Sequence, residues 1–213
     1  MTVEQKEHPG VYTPVPPRMT EEEFWAWCDE DVRAEFVDGE VIMHSPVSLR
    51  HNRLTRFLTA LLQLFVERYG LGEILGSEFA VRLREGLIRV PDLVFVSWER
   101  ADIIQETCVE GAPDLIIEIV SPDSEECDWR EKYHEYEQAG VREYWVIDPY
   151  SETIAFYQLE EGEGYRKVAP EEGVYHSKAL EGFWLRPEWL WQETLPSVLE
   201  VAAEIGLILK AVG

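Results

Sequence analysis

The sequence predicts an α/β (α+β) fold, in which helices and strands follow one another in mixed order. Two pairs of strand-like segments are joined by turn residues, at Asp38-Gly39 and at Glu85-Gly86, and Asp-Gly suits the tight turn of a β-hairpin. Residues 48–69 carry apolar side chains at helical spacing. Residues 115–120 form a short apolar run, which is typical of a buried strand.

Length and composition indicate one globular domain with additions. The chain has 213 residues, of which 46% are hydrophobic, enough to bury a sizeable core. We expect an irregular N-terminal arm at 1–19, a main domain at 20–170, and a C-terminal extension at 171–213 that packs on the same domain. Three widely spaced cysteines in no paired motif indicate neither a disulfide framework nor a zinc cluster.

The chain shows no membrane or targeting signal. No apolar run approaches the ~18 residues that a membrane span needs. The N-terminus also lacks a basic region followed by an apolar stretch. We therefore expect a soluble, cytoplasmic protein that does not contact a membrane.

The formal net charge of −23 argues against a general nucleic-acid-binding protein, because such proteins neutralise phosphates with clustered Lys and Arg. The charge is unevenly distributed, since residues 44–100 carry 8 basic and 6 acidic side chains and are net positive. A local basic surface is therefore one interpretation, and ordinary solvated faces are the other. The basic residues concerned are Arg50, Arg53, Arg56, Arg82, Arg84 and Arg89.

In the first half of the chain, local signals define most element boundaries. Thr20 and Glu23 form a capping-box pattern that starts a short helix through about Asp29. The hairpin around Asp38-Gly39 joins strands at 34–37 and 40–44. The helix at 48–69 ends at Gly70. Two long antiparallel strands, 73–84 and 87–96, and a weak helix at 99–106 follow.

In the second half, turn residues separate further strands and helices. The strand at 115–120 is closed by Ser121-Pro122. The next helix ends at Gly140, which favours a left-handed cap. Predicted elements are a helix at 124–139, strands at 143–147, 153–159 and 165–168, and a C-terminal helix at 198–209.

Two acidic residues occupy apolar surroundings. Glu118 interrupts the run 115–120, and strand alternation places it on the face of Ile116 and Val120. A buried carboxylate requires a cation, a proton or a cavity beside it. Asp92 follows Pro91 at the start of another apolar strand. If the strands were neighbours, two carboxylates about 4 Å apart would repel by roughly 4 kcal/mol at an effective dielectric constant of about 20. A divalent cation would remove that repulsion.

Lys132 completes a set of three charged residues. It lies on the helix pattern at 124–139, one turn from Asp128 and from Tyr136. We expect its ammonium group to lean toward the end of the strand that holds Glu118. Two acids and a lysine are the groups that metal-dependent cleavage of a phosphodiester requires.

Several short motifs follow one another in a fixed order along about residues 20 to 160. They are Glu35-Phe36-Val37-Asp38-Gly39-Glu40, Ser45-Pro46, His51, Pro91 to Val96, Glu118 to Pro122, Asp128, Lys132, Tyr136 and Ala139 to Pro149. This ordered series resembles the bacterial Uma-type nuclease family, which belongs to the PD-(D/E)xK superfamily of restriction-endonuclease-like folds. The resemblance implies a mixed central β-sheet flanked by helices, with added β-hairpins.

The resemblance also implies a set of site residues. Asp92 and Glu118 would be metal ligands for Mg²⁺ or Mn²⁺, whose hard character suits carboxylate oxygens. Most superfamily members place a lysine two residues after the glutamate, where this chain has Val120, so Lys132 resembles a migrated replacement. Glu35 would be an additional acidic catalytic residue, and His51 and Tyr136 would support the site.

The implied reaction is hydrolysis of a phosphodiester, with DNA as the expected partner and a homodimer expected by analogy. A nuclease-fold binding or regulatory module without catalysis is an alternative, because Val120 replaces the usual lysine. Acid/base hydrolysis by paired carboxylates, as in glycosidases, is a third possibility. Structural roles also remain open: a turn cap for Asp92, a surface lysine paired with Asp128 for Lys132, and a helix-terminus histidine for His51.

Overall fold

The computed structural model of the protein describes residues 18–28, 32–76, 78–122 and 124–208. Most of the predicted N-terminal arm at 1–19 lies outside these residues. The helices in the described ranges are α1 (Glu21–Trp27), α2 (Leu49–Tyr69), α3 (Lys132–Ala139), α4 (Glu188–Trp191) and α5 (Val198–Glu204). The strands there are β1 (Ala34–Val37), β2 (Glu40–Met43), β3 (Gly72–Gly76), β4 (Ala80–Arg84), β5 (Leu87–Arg89), β6 (Leu93–Ser97), β7 (Cys108–Glu110), β8 (Leu115–Ile119), β9 (Glu143–Asp148), β10 (Thr153–Glu160), β11 (Gly164–Val168), β12 (Tyr175–His176) and β13 (Trp184–Leu185).

Two mixed sheets organise these strands. The larger sheet has six strands in the order β11-β10-β9-β8-β6-β3, in which β8 and β9 run parallel and the other neighbours antiparallel. The second sheet has five strands in the order β2-β1-β5-β4-β7, with β4 and β7 parallel. Strands β12 and β13 form a small separate pair. This architecture confirms the predicted α+β class with added hairpins.

Local signals in the sequence predicted several elements correctly. The capping box of α1 is formed, since Thr20 and Glu23 exchange side-chain to backbone hydrogen bonds. Asp38 and Gly39 both have positive φ, of 46° and 96°, as a type I′ turn requires. Helix α2 begins after Ser48, which caps it, and ends at Gly70 in the left-handed conformation.

The two long strands predicted at 73–84 and 87–96 are wrong in their continuity. Each divides into two, so that β3 and β6 pair in the larger sheet while β4 and β5 pair in the smaller one. The break between β5 and β6 contains Pro91, which has no amide proton to donate to a ladder. The chain therefore passes from the smaller sheet into the larger one between β5 and β6, and Asp92 lies at this junction. The weak helix predicted at 99–106 is a 3₁₀ helix, Trp98–Ile103.

The helix predicted at 124–139 has the expected position but an irregular first half. Residues Cys127–Glu131 form a π-helical turn, in which the amide of Lys132 donates to the carbonyl of Cys127 five residues earlier. Helix α3 then continues to Ala139 and ends at Gly140 in the left-handed conformation. Such turns insert an extra residue and are frequent at functional sites.

The two faces of the larger sheet bury different clusters. Phe95 and Ile117 pack against the apolar stripe of α2 on one face, whereas Ile116 and Val120 pack with Tyr136 of α3 on the other. Glu118 alternates with the residues of the first cluster and therefore lies on the α3 side, as predicted. Side chains of the predicted extension join the α2 cluster: Tyr175, Leu180, Phe183, Leu185, Trp189, Leu190, Val201, Ala202 and Leu207.

Within the described ranges, no helix is long and apolar enough to cross a membrane. Helix α5 is shorter than the predicted C-terminal helix, because it ends at Glu204, and residue 209 lies outside the described part. The division of the chain into arm, domain and extension stays a prediction.

Candidate active site

Asp92 and Glu118 lie opposite one another at the junction of the two sheets. Strands β6 and β8 are antiparallel neighbours with Leu93 paired to Ile117, so one further step of this register places Asp92 opposite Glu118. The amide of Ile119 donates to Asp92 Oδ2 at 2.8 Å, which ties Asp92 to the strand that carries Glu118. Both acids are buried, with 5% and 3% of their surface exposed. The structure therefore brings the two predicted acids together.

Lys132 reaches the same place from α3. Its ammonium Nζ lies 3.0 Å from Glu118 Oε1, 2.9 Å from Asp128 Oδ1 and 3.6 Å from Glu35 Oε1. The side chain is almost completely buried, so the reading of Lys132 as a surface lysine is wrong. The surrounding carboxylates outweigh burial and hold the pKa of Lys132 well above its usual value. The lysine is therefore a permanent cation among acids.

Glu118 has the opposite electrostatic character. Burial raises the pKa of its carboxyl to about 8, and the carboxylates of Asp128, Asp92 and Glu35 add to this, although Lys132 opposes it. The hydroxyl of Tyr136 donates to Glu118 Oε1 at 2.7 Å. The predicted requirement for a compensating partner is thus met by an ammonium and a phenol. The carboxyl still favours either a proton or an additional cation.

His51 contacts Asp92 rather than Glu118. Its Nε2 lies 3.1 Å from Asp92 Oδ2 in a buried contact, and the hydroxyl of Thr55 lies 3.4 Å from the other ring nitrogen. The backbone amide of His51 donates to Ser48, the N-cap residue of α2. His51 therefore lies in the first turn of the helix and also orients one acid of the candidate site.

Glu35 joins the site from β1. Its Oε2 accepts a 2.7 Å hydrogen bond from Arg89, and its Oε1 accepts one from the amide of Val90 at 3.1 Å. Burial alone would raise the pKa of Glu35, but Lys132 and Arg89, together with His44, hold it well below its usual range. Glu35 is therefore an ionised partner of Lys132.

Arg89 was not predicted as part of the site. It is fully buried and makes two 2.7 Å hydrogen bonds to Glu135 of α3, in addition to the bond with Glu35. Burial opposes its charge, but these acids keep its pKa raised above the usual value. Arg89 thus connects β1, β5 and α3 around the candidate site. An arginine beside a turn gives no sequence signal for such a role.

The basic-surface interpretation fails for Arg82, Arg84 and Arg89, which pair with acids, and stays an interpretation for the other three arginines of the set. Arg82 pairs with Glu21 and Glu110, and Arg84 pairs with Asp38. Arg50 donates to the carbonyls of Leu190 and Gln192. Arg53 and Arg56 are exposed. The sequence reports the charge of an arginine but not the acid that neutralises it.

The donor chemistry of the site fits a hard divalent cation. Asp92 and Glu118 offer carboxylate oxygens, the ligand type that Mg²⁺ and Mn²⁺ prefer. Asp128 Oδ1 is buried and, among the described residues, has no hydrogen-bond partner of suitable geometry, although Lys132 lies close to it. In the part of the chain that the structure describes, no group of three or more His, Cys, Asp or Glu residues has an arrangement that would hold a metal ion. Asp92 and Glu118 thus fit such an ion by the type of their donor atoms.

A family model and one curated relative match this chain. The family model Uma2, described as "Putative restriction endonuclease", matches residues 21–188, a segment that contains every candidate site residue. The uncharacterized protein sll1609 of Synechocystis sp. is 28% identical over 130 residues, which make up 59% of this chain and 72% of that protein.

A solved structure has the same fold. It is described as a putative nuclease belonging to DUF820 from Anabaena variabilis, and it matches with a TM-score of 0.67 and 19% identity. The match covers 81% of this chain and 97% of that one. At this identity the likeness shows a shared fold, here of restriction-endonuclease-like type. Because the family match spans most of the sequence, the chain belongs to the Uma2 family of putative restriction endonucleases.

Proposed function

We propose that this protein is a metal-dependent endonuclease that hydrolyses phosphodiester bonds of DNA. Membership of the Uma2 family supports a nuclease function and disfavours the glycosidase alternative. The observation that carries the proposal of a metal-dependent catalytic site is the buried 3.0 Å contact between Lys132 Nζ and Glu118 Oε1. It supplies an ammonium group to the glutamate although the usual lysine position is occupied by Val120, which is buried in an apolar cluster.

Each residue of the site has a role in this proposal. Asp92 and Glu118 would hold Mg²⁺ or Mn²⁺, an ion that supplies Lewis-acid stabilisation of the phosphate and acidifies bound water. Lys132 holds a positive charge where negative charge develops during hydrolysis. Glu35 keeps that ammonium charged and in place. His51 and Tyr136 orient the two acids through the hydrogen-bonding contacts that they make with them.

A cleavage assay tests the proposal directly. Purified protein is expected to nick supercoiled plasmid DNA in Mg²⁺ or Mn²⁺ and to lose this activity in EDTA. Asp92→Asn and Glu118→Gln, which preserve shape, should each reduce cleavage by at least about 100-fold. Glu160→Gln is the control, since Glu160 is a strand carboxylate outside the site whose ion pairs with Arg166 and Lys178 are partly exposed. Full activity in both site variants would exclude the proposal.

A binding or regulatory module without catalysis is the second candidate. Two observations favour it: the ammonium of Lys132 is enclosed by carboxylates, and the chain has a formal charge of −23. Titration calorimetry with Mn²⁺ separates the candidates. Absence of binding by the wild type, or equal binding after Glu118→Ala, would favour the module without catalysis.

Assembly and location also belong to this proposal. A homodimer is expected by analogy with the fold, and light scattering on the purified chain measures its mass directly. A cytoplasmic location stays a prediction, which fractionation of the source cells would test.

A further inference from the structure

Arg33 and His44 form a cross-strand pair at the open end of the β1–β2 hairpin. The amide of His44 donates to the carbonyl of Arg33 at 3.2 Å, one step beyond the Ala34–Met43 pair. Because side chains alternate along a strand, Arg33 and His44 lie on the same face of the hairpin as Glu35. The hairpin therefore directs both basic side chains toward the candidate site.

These two side chains lie between solvent and the buried acids. Arg33 Nη2 is 3.9 Å from Asp92 Oδ1, and His44 Nε2 is 3.4 Å from Glu35 Oε1. The side chains of Arg33 and His44 are 32% and 24% exposed, whereas those of Asp92 and Glu35 are 6% and 2% exposed. The basic pair thus occupies the entrance to the acidic interior.

Among the described residues, the buried Nε of Arg33 has no hydrogen-bond partner. The buried Nε2 of His44 makes no hydrogen bond of good geometry there, although Glu35 Oε1 lies 3.4 Å away. Leaving a buried donor unsatisfied costs about 1–3 kcal/mol. The guanidinium Nε–H is always a donor, whereas an imidazole nitrogen is a donor only in the tautomer that carries its proton. By contrast, the guanidinium groups of Arg82, Arg84 and Arg89 make hydrogen bonds to carboxylates. The guanidinium group of Arg33 therefore keeps hydrogen-bonding capacity for a ligand, and the imidazole of His44 lies beside it.

We propose that Arg33 and His44 bind a phosphate of the nucleic-acid backbone at the entrance to the candidate active site. The interior contains the carboxylates of Glu35, Asp92, Glu118 and Asp128, which would repel an approaching phosphodiester. A guanidinium group can donate two parallel hydrogen bonds to phosphate oxygens, and an imidazole can add a third. The identity of the ligand as a nucleic acid rests on the proposed function.

Simple neutralisation of the acids is the competing explanation for these basic side chains, and His44 does contribute to the lowered pKa of Glu35. The distance of 3.9 Å between Arg33 and Asp92 is too long for a hydrogen bond, so Arg33 does not make the close pair that neutralisation would favour. Backbone phosphate contacts position a substrate without reading its sequence. The proposed site therefore contributes affinity that depends on salt and is independent of base sequence.

Binding of a fluorescein-labelled DNA duplex, followed by anisotropy in EDTA and in Ca²⁺ over a series of salt concentrations, tests the proposal. Arg33→Gln and His44→Ala are each expected to raise Kd about tenfold. Arg33→Gln should also lower the slope of log K against log salt by about 1. Arg166→Gln is the control, because it removes the same charge from an exposed position on β11, where Arg166 pairs with Glu160.

The outcomes separate this inference from the proposed function. Equal weakening by Arg166→Gln and Arg33→Gln, an unchanged salt slope in Arg33→Gln, or no duplex binding by the wild type would each overturn the phosphate site. Melting temperatures exclude unfolding as a cause, and Arg33→Lys, which keeps the charge, should retain the slope while losing part of the affinity. Cleavage by wild type with binding insensitive to Arg33 and His44 refutes the inference alone. Binding that depends on them without cleavage refutes the nuclease proposal alone.

Discussion

Glu118 and Glu143 are buried carboxylates on neighbouring parallel strands, yet their surroundings differ in kind. They lie on β8 and β9 and are 3% and 0% exposed. The donors that Glu143 meets in the described part of the chain are neutral: the Trp145 indole, the hydroxyls of Tyr175 and Ser177, and the amides of Lys178 and Ala179. Several of these donors belong to the C-terminal region, so Glu143 fastens that region to the sheet.

Glu118 meets one neutral donor, Tyr136, and one cation, Lys132. Three further carboxylates raise its pKa together with burial. A structural carboxylate is thus surrounded by donors, whereas the candidate catalytic one is surrounded by other acids that share a single ammonium. Burial of an acid does not by itself indicate a functional site, and like charges around a buried acid are the stronger indication.

The largest effect is expected from Glu143→Ala. Removal of this carboxylate leaves five donors without their acceptor, three in buried and two in part-buried contacts, so the free energy of unfolding should fall by about 3–5 kcal/mol. Urea denaturation followed by circular dichroism measures the change. Glu160→Ala is the control, since Glu160 makes only partly exposed ion pairs and should alter stability by less than about 1 kcal/mol. Equal losses of unfolding free energy in the two variants would show that Glu143 does not have the structural role assigned to it.

Glu118→Gln should change stability in the opposite direction in metal-free protein. The folded pKa of about 8 exceeds the ordinary value of 4.5, so the folded state binds the proton more tightly than the unfolded state does. The stability contributed by this carboxyl is then fully present below pH 4.5 and is lost as the pH rises through about 8. At pH 8 the glutamine variant should be more stable than the wild type by on the order of 2–4 kcal/mol.

Denaturation of both proteins in EDTA at several pH values measures this difference. The stability advantage of Glu118→Gln should disappear as the pH falls toward 4.5, because the wild-type carboxyl is then protonated. If the Glu118→Gln variant were less stable than the wild type at pH 8, Glu118 would stabilise the fold as Glu143 does. The proposed difference between the two carboxylates would then be wrong.

The contrast also explains how much the sequence could predict. Glu118 interrupts an apolar run, and alternation correctly placed it on the α3 side of the sheet. Glu143 begins its strand beside Arg142, so nothing in the local pattern distinguished it from a surface acid. Its burial results from the C-terminal residues 175–179, which are distant in sequence and carry no motif that pairs them with this strand.

The same limit applies to the strands and cations near the site. Turn and cap residues predicted the first hairpin and α2, because Asp38-Gly39 and Gly70 adopt their backbone conformations for local reasons. The division of the long strands between two sheets depends on tertiary pairing, which periodicity does not report. The positions of Arg33, His44 and Arg89 around the acids likewise depend on how the two sheets meet.

Arg89→Lys tests the network of ion pairs around Glu118. A lysine keeps the positive charge but cannot reproduce the forked pair of hydrogen bonds to Glu135 while also reaching Glu35. Stability should fall by about 2 kcal/mol, and DNA cleavage should fall because Glu35 no longer fixes Lys132. Arg82→Lys is the control for loss of the fork alone, because Arg82 pairs with Glu21 and Glu110 rather than with the acids around Lys132. Equal cleavage in both variants would show that Arg89 has a structural role only.

The smallest change in stability is expected for two tyrosines, one bonded to each carboxylate. Tyr136 donates to Glu118 Oε1 and Tyr175 donates to Glu143 Oε1, each at 2.7 Å. Either Tyr→Phe change should therefore cost about 1 kcal/mol of stability, as thermal denaturation would show. Their effects on plasmid cleavage should differ, because Tyr136 orients a proposed metal ligand and its loss should reduce the rate 10–100-fold.

Tyr175→Phe should leave cleavage within about twofold of the wild type, since Glu143 retains its other donors and takes no part in the reaction. Equal cleavage by the two variants would mean that the hydroxyl of Tyr136 only fills space beside Glu118. A reduction confined to Tyr136→Phe, at equal loss of stability, would show that the same hydrogen bond is structural on one strand and functional on its neighbour.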